Sequence, residues 1–382
     1  MQVNSPNNPP SKIDTDSVGH ELTREVYWVL GIPIDAVNME TVLRKIEAAV
    51  ANRTPFLLST ANLNFLVTSK SDAEFRSSLL LSDLCTADGM PVVWVARLLG
   101  IPILGRLAGA DIFEALKTRK YSAPLKMFLF GGAEGVAAKA CKKLNSESIG
   151  VACVGSYYPG FGAVDEISSD VTIQLVNSSN ADFLAVALGA KKGQAWLLNN
   201  HNRIQIPVRA HLGATINFQA GTVRRAPQYI QKFGLEWLWR IMEEPELWRR
   251  YWSDGTVLLR LLLTQVLPLI AVTQWMRLSQ SVHDLVIEQR EDQKSVILSI
   301  NGAATIQNIA KAATIFQDAT VGTKDIVINF SKTCVIDARF LGILSVLDKQ
   351  LKKGHRKLTF NEVPRHVERV FRLSGFQLLN RD

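Results

Sequence analysis

Residues 126–136, KMFLFGGAEGV, and residues 183–195, FLAVALGAKKGQA, are built alike: an apolar run, a glycine turn, then small and polar residues suited to a helix. A short apolar run closed by glycine reads as a buried strand whose chain turns back into a covering helix. The unit recurs upstream. Residues 25–34 (EVYWVLGIPI) open as an apolar strand. Met39–Ala51 follows as an amphipathic helix with Val42, Ile46 and Val50 on one face, and 56–59 is a strand leading through Thr60-Ala61-Asn62 into a helix from Asn64. A short strand at 84–86 delivers Asp88-Gly89, 150–154 is another strand, and helices are expected from Val136 and from Ala195. Alternating strands and helices predict an α/β fold with an open, Rossmann-like sheet, whose ligands bind beyond the carboxyl ends of the strands.

The character changes after Gly221. Residues 224–277 read as helical and hold five of the eight tryptophans, Trp237, Trp239, Trp248, Trp252 and Trp275. Beyond Ser279 strands return at 285–288, 295–300, 325–330 and 357–361, with helices near 306–318, 339–353 and 365–373. The expected division is a disordered leader at 1–24, an α/β core at 25–223, a helical membrane-associating appendage at 224–280 and a small independent α/β domain at 281–382. The leader is polar, rich in Asn, Pro and Ser, and lacks the basic-then-apolar pattern of a signal peptide, which leaves the active parts in the cytoplasm.

The net charge of +8 favours an anionic partner: nucleic acid, a membrane surface or a phosphate-bearing substrate. No nucleic-acid-binding module accompanies that charge, so nucleic acid is set aside. Cys85, Cys141, Cys153 and Cys334 form no CxxC or zinc spacing and are expected as reduced thiols. In 257–272 the run is apolar but carries Arg260 and Pro268 and falls short of a membrane span, so attachment to the bilayer surface through arginines and aromatics is expected.

Chemistry concentrates at strand ends. Asp88 is placed for general-base work on a hydroxyl, although a lone Asp-Gly is more commonly a turn or helix cap. Thr60 and Asn62 are placed to orient a sugar or phosphate, or simply to cap the next helix. Gly131 and Gly132 lead into a helix whose amides suit a diphosphate. The loop at Gly189, with Lys192 and Gln194, has the same placement. HExxH, GxSxG, GxxxxGK[ST] and a strand-end carboxylate pair are all missing from the sequence, which argues against metalloprotease, serine hydrolase and P-loop chemistry and leaves no metal site in view.

Together these motifs resemble glycosyltransferase family 26, which includes the teichoic-acid and enterobacterial-common-antigen N-acetylmannosaminyl and mannosaminuronate transferases and related exopolysaccharide enzymes. The resemblance covers residues 27–252. It rests on Ser59-Thr60-Ala61-Asn62, Ala87-Asp88-Gly89-Met90-Pro91, Gly105-Arg106-Leu107-Ala108-Gly109-Ala110-Asp111, Phe130-Gly131-Gly132, Ala220-Gly221 with Arg225-Ala226-Pro227, and Glu236-Trp237 with Arg240 and Arg250. It implies an inverting transfer from a UDP-sugar to a polyprenyl-diphosphate-linked saccharide, with no metal or other cofactor, peripheral to the inner face of the cell membrane. Asp88 would be the base, Thr60 and Asn62 would hold sugar, and Arg106 would stabilise negative charge. Gly131, Gly132, Gly189, Lys192 and Gln194 would line the nucleotide pocket, and Arg225, Arg240 and Arg250 would meet phosphate. The family's G-x-P-K-Q-E run departs here: Lys191 replaces its proline, Gly193 its glutamine and Gln194 its glutamate. Asn217 stands for a common Asp in what reads as a strand, and Leu247 for a common Arg that Arg249 is positioned to replace. These departures keep open a second reading, a catalytically altered regulatory or binding protein.

The stretch 335–342, VIDARFLG, with its flanking elements resembles a STAS (anti-sigma-factor-antagonist-like) domain over 284–379. That family carries a phosphorylatable serine in D-S-S-G; here Asp337 is kept but Ala338 and Arg339 fill the serine positions. A phosphorylation-independent module contacting a protein partner is the expectation, with a catalytic core able to fold without it.

Overall fold

The computed structural model describes residues 21–279 and 284–376. Most of the expected leader, residues 1–20, lies outside these, as do 377–379 of the STAS-like stretch. Residues 21–24, placed in the leader, are instead packed: Leu22 is buried, Glu21 pairs with Lys349, and Arg24 is locked to Asp35 at 2.7 Å.

Strand β1 (Val26–Val29) and strand β2 (Ile32–Asp35) form an antiparallel hairpin where one strand was expected. Leu30 and Gly31 both take positive φ, 46° and 102°, the two-residue turn that suits a twisted ribbon. Leu30 is fully buried, so packing holds a backbone conformation a leucine otherwise avoids.

The main sheet contains β3 (Phe56–Ala61), β4 (Leu84–Ala87), β5 (Leu125–Gly131), β6 (Val151–Tyr157), β7 (Phe183–Ala187) and β8 (Val208–His211) in the order β4-β3-β8-β7-β5-β6. Every neighbouring pair is parallel, as the alternating pattern predicts. Helix Met39–Ala51 has the expected bounds and buries Val42 and Ile46. Strand β8 was not read from the sequence because Arg209 interrupts its apolar run. The guanidinium is buried and satisfied by the carbonyls of Ile206, Ile204 and His201. Asn217 lies in helix Thr215–Ala220, not in a strand. Helix Ala190–Asn199 starts at Ala190 rather than at Ala195, so the presumed phosphate loop is that helix's first turn. Cys141 and Cys153, expected as thiols, are joined in a disulfide (Cα–Cα 5.3 Å), because helix Val136–Glu147 packs directly on β6.

A continuous helix runs from Pro245 to Leu278; by length and composition it is able to cross a bilayer, its most apolar window having mean hydropathy 1.9. Pro268 does not break it. The turn before the proline widens to π geometry at Leu262–Val266, which relieves the clash of its ring with the preceding turn. Leu261, Val266, Leu269, Val272 and Met276 form its packed face, whereas Leu259, Leu263, Leu267, Trp275 and Leu278 stay exposed.

A second sheet, β9 (Val286–Glu291), β10 (Ser295–Ala304), β11 (Asp325–Ile336) and β12 (Leu358–Asn361), has the order β12-β11-β10-β9, with β9 antiparallel and the rest parallel. Its hydrophobic core is continuous with Val26 and Trp28 of the hairpin and with Leu269, Val272 and Met276 of the long helix. Helix Ala338–Lys353 lies on β1 so closely that a Cβ on Gly342 would come within 2.1 Å of the Val26 carbonyl oxygen. Arg339 donates to that same carbonyl at 3.0 Å, and Trp28 Nε1 donates to the Ser374 carbonyl at 3.1 Å. The unit expected to stand alone is therefore docked on the core through buried contacts.

Candidate active site

The carboxyl ends of β3, β4, β7 and β8 open into one cavity of about 720 Å³, within the range of small-molecule sites. Its other wall comes from the chain beyond Gly234 and the start of the long helix, including Trp237, Tyr251 and Leu258. Thr60, Asn62, Asp88, Arg106, Gly132, Gly189, Arg240 and Arg250 all line it. Elements scattered from 60 to 250 are thus brought to one place.

Asp88 follows the last residue of β4 and accepts a hydrogen bond from Gly109 N at 3.3 Å, at the start of helix Gly109–Thr118. It caps no helix of its own. Burial pushes its carboxyl up to about 6, opposed by the nearby Arg106 charge and the Gly109 amide. Such a group is ionised near neutrality yet basic enough to accept a proton. Asn62 caps helix Leu63–Ser71, its side chain accepting from Phe65 N at 3.1 Å, and it also borders the cavity.

Arg106 is held in a four-residue charge network. It donates to Glu236, to Asp111 at 3.0 Å and to Gln231 at 3.3 Å, while Arg225 pairs with Asp111 and lies 3.6 Å from Glu236. Two carboxylates thus neutralise two guanidiniums beside Asp88, and this fixes the Arg106 fork in one orientation. Glu236 was quoted only as part of a motif; its role as the acid that ties the appendage to Arg106 was not legible locally. Arg240 pairs with Glu244 and lies over the Phe218 ring at 5.4 Å, and Arg250 covers Tyr251 at 5.0 Å.

Four expected binding residues sit elsewhere. Gly131 is the last rung of β5, paired with Ala187, and Gly132 takes the cavity position. Gln194 is buried and donates to Ser59 Oγ at 3.2 Å, beneath the site. Lys192, on the first turn of helix Ala190–Asn199, does not line the cavity, and Arg225 stands behind it in the charge network. Nor does Arg249 replace an arginine at 247: it covers the Trp248 ring, and Leu247 itself lines the cavity. His211, at the end of β8, is a cavity residue that sequence reasoning missed along with its strand.

A family model described as the glycosyl transferase WecG/TagA/CpsF family matches residues 27–271. The chain is 27% identical over 202 residues to the N-acetylglucosaminyldiphosphoundecaprenol N-acetyl-beta-D-mannosaminyltransferase of Bacillus spizizenii, a match covering 53% of this chain and 76% of that enzyme. It is 26% identical over 197 residues to the protein of the same name from Bacillus subtilis, covering 52% and 75%, and 21% identical over 224 residues to that from Staphylococcus aureus, covering 58% and 85%. The family match stops before the second sheet begins at Val286.

Proposed function

Because the chain belongs to the WecG/TagA/CpsF family of glycosyltransferases, we propose that it moves a sugar from a UDP-sugar to a polyprenyl-diphosphate-linked saccharide, with inversion, in the assembly of a cell-surface or exopolysaccharide. The observation that carries this is Asp88, raised to about 6 at a strand carboxyl end, in one cavity with Thr60, Arg106 and the glycines at 132 and 189. Asp88 takes the proton of the acceptor hydroxyl as that oxygen bonds to the anomeric carbon. The anomeric carbon–oxygen bond to the diphosphate breaks, and its electron pair leaves on UDP. Fixed guanidiniums and helix amino ends meet the leaving charge. This suits transfer without a metal, since the acids Asp111 and Glu236 are already engaged by Arg106 and Arg225.

The lipid-linked acceptor has support from the far wall. The helices that close the cavity expose Trp248, Trp252 and Trp275 away from its lining, a composition that seats at the headgroup level of a bilayer. We read the protein as peripheral on the inner face of the membrane. The second sheet and its helices are read as a STAS-like module with no phosphorylatable hydroxyl at 338 or 339, available to a protein partner on the surface not turned to the core.

Purified protein is to be offered a panel of UDP-sugars with a polyprenyl-diphosphate-N-acetylglucosamine acceptor. Product from one donor is the expected result; no transfer from any, with fold intact, favours the altered-regulator reading. The pH profile follows from Asp88. Only the carboxylate accepts a proton, so kcat/KM should fall about tenfold per pH unit below about 6 and be flat above it. An acid limb centred near 4 would remove Asp88 from that role.

A further inference from the structure

Among the described residues four acids border the cavity: Asp88, Glu236, Glu244 and Asp254. Asp88 serves as the base, Glu236 pairs with Arg106, and Glu244 pairs with Arg240. Asp254 makes no direct ion pair among the described residues; Arg250, one turn earlier, lies over the Tyr251 ring instead. On the long helix Arg250, Tyr251, Asp254 and Leu258 recur at three- and four-residue spacing, which turns them toward the cavity on one face. Asp254 is 5% exposed. Its Oδ2 accepts from Asn64 Nδ2 at 3.2 Å, across the gap to helix Leu63–Ser71. Its Oδ1 accepts nothing from the described residues and is not sealed by them. Burial raises the carboxyl above its ordinary range, opposed by the Asn64 hydrogen bond and the Arg250 charge. A carboxylate has about four lone-pair sites, so most of its accepting capacity is unused. Asn64 borders the cavity as well, and its amide uses one N–H in this bond.

The sheet sets where this pair stands. In the order β4-β3-β8-β7-β5-β6, β8 separates the strands leading to Asp88 and Asn64 from those leading to Gly132 and Gly189. Asp254, bonded to Asn64, is therefore on the side of the base and away from the glycine turns. A carboxylate repels a diphosphate and is a strong acceptor for a hydroxyl. We propose that Asp254, with Asn64 beside it, is a specificity-determining residue for the acceptor, its carboxylate taking a hydrogen bond from an acceptor-sugar hydroxyl other than the one that reacts. The inference rests on the transferase reading of the cavity. A site built to hold a hydroxyl rejects the analogue lacking it, because the buried acceptor atom is then left unpaired.

The test compares the full-length protein with Asp254→Ala and Asp254→Asn. The acceptors are polyprenyl-diphosphate-N-acetylglucosamine and its versions lacking one non-reacting sugar hydroxyl each. In the native protein one deoxy acceptor should lose about tenfold to a hundredfold in kcat/KM, the effect of one hydrogen bond to a charged group. Asp254→Ala should show that loss with the complete acceptor, and no further loss beyond about twofold with that deoxy acceptor. Asp254→Asn, uncharged but still an acceptor, should fall between. KM for the donor should stay within about twofold in both variants. If Asp254 only ties two helices together, its loss lowers kcat/KM for every acceptor by the same factor, and that outcome overturns the proposal. An effect confined to the donor KM, or a native protein indifferent to every deoxygenation, overturns it as well. If Asp254→Ala fails to fold, Asp254→Asn carries the comparison, and a deoxy loss equal to the native one overturns the proposal. Native protein that transfers no sugar rejects the transferase reading instead. The same comparison is then made by calorimetry with a short-chain prenyl-diphosphate-N-acetylglucosamine and its deoxy versions. There, absence of binding, or a deoxy loss of affinity that Asp254→Ala leaves unaltered, overturns the role of Asp254.

Discussion

Replacing Asp88 with asparagine is expected to lower turnover by about a hundredfold or more while making the protein more stable at neutral pH. The two effects share one cause. General-base catalysis contributes about a hundredfold to ten-thousandfold, and an amide cannot take the proton. The carboxyl, raised by burial to about 6, resists ionisation in the folded state. Below about pH 4 it is protonated folded or unfolded, and the fold pays nothing. Between about 4 and 6 the unfolded chain releases the proton while the folded chain keeps it, so stability falls as pH rises through that window. Above about 6 the full penalty is present, about 1–3 kcal/mol for a group bordering an open cavity. Asparagine removes that penalty and still accepts from Gly109 N. Melting temperatures at pH 4 and pH 8 should therefore differ less in the variant than in the native protein, with UDP affinity unchanged. A variant of normal turnover would leave the proton to another group. One of low turnover but lower stability at pH 8 would make Asp88 a structural acid.

The residues read most easily were those whose meaning is local. Strands at Leu125–Gly131 and Phe183–Ala187, helix Met39–Ala51, and the strand-end positions of Thr60, Asn62 and Asp88 all follow from apolar runs closed by glycine or a polar cap. What was not legible depends on partners far along the chain. Arg209 hides β8 because its charge is answered by carbonyls of a preceding loop. Pro268 counted against a membrane span because the π turn that lets the helix run on through it leaves no mark in the local pattern. Gly193 stood out as a departure from the resembling family, but its reason lies on another strand, in His211. Arg339 stood out in the same way, as a residue without a hydroxyl. Its partner, the Val26 carbonyl, is 313 residues earlier in the chain, so nothing around position 339 marks it as part of an interface.

That interface changes what a truncation should do. The sequence alone suggested that removing 284–382 would leave a working transferase core. In the structure Val26 and Trp28 are at most 1% exposed, and they share a core with Phe316, Phe340 and Phe376. Cutting the second unit away bares them together with Leu269, Val272 and Met276 of the long helix. Each large apolar side chain is worth about 1.5–3 kcal/mol buried, so losing several approaches the whole stability of a domain. Lys349 adds a polar anchor. It donates to Asp83 at 2.6 Å and pairs with Glu21 at 2.8 Å, and Asp83 in turn accepts from Leu57 N, at the start of the strand that carries Thr60. The truncated protein is therefore expected to be insoluble or to melt far below the full chain. Lys349→Met in the full chain should cost about 3–5 kcal/mol, because Asp83 and Glu21 then lack their buried partner. Arg339→Ser restores a hydroxyl at a position turned inward onto Val26. It should lower the melting temperature, and a serine kinase should modify it only when the unit is undocked. A truncated core that is soluble, melts near the full chain and transfers sugar would mean that the contacts at Trp28, Arg339 and Lys349 are incidental to the catalytic fold.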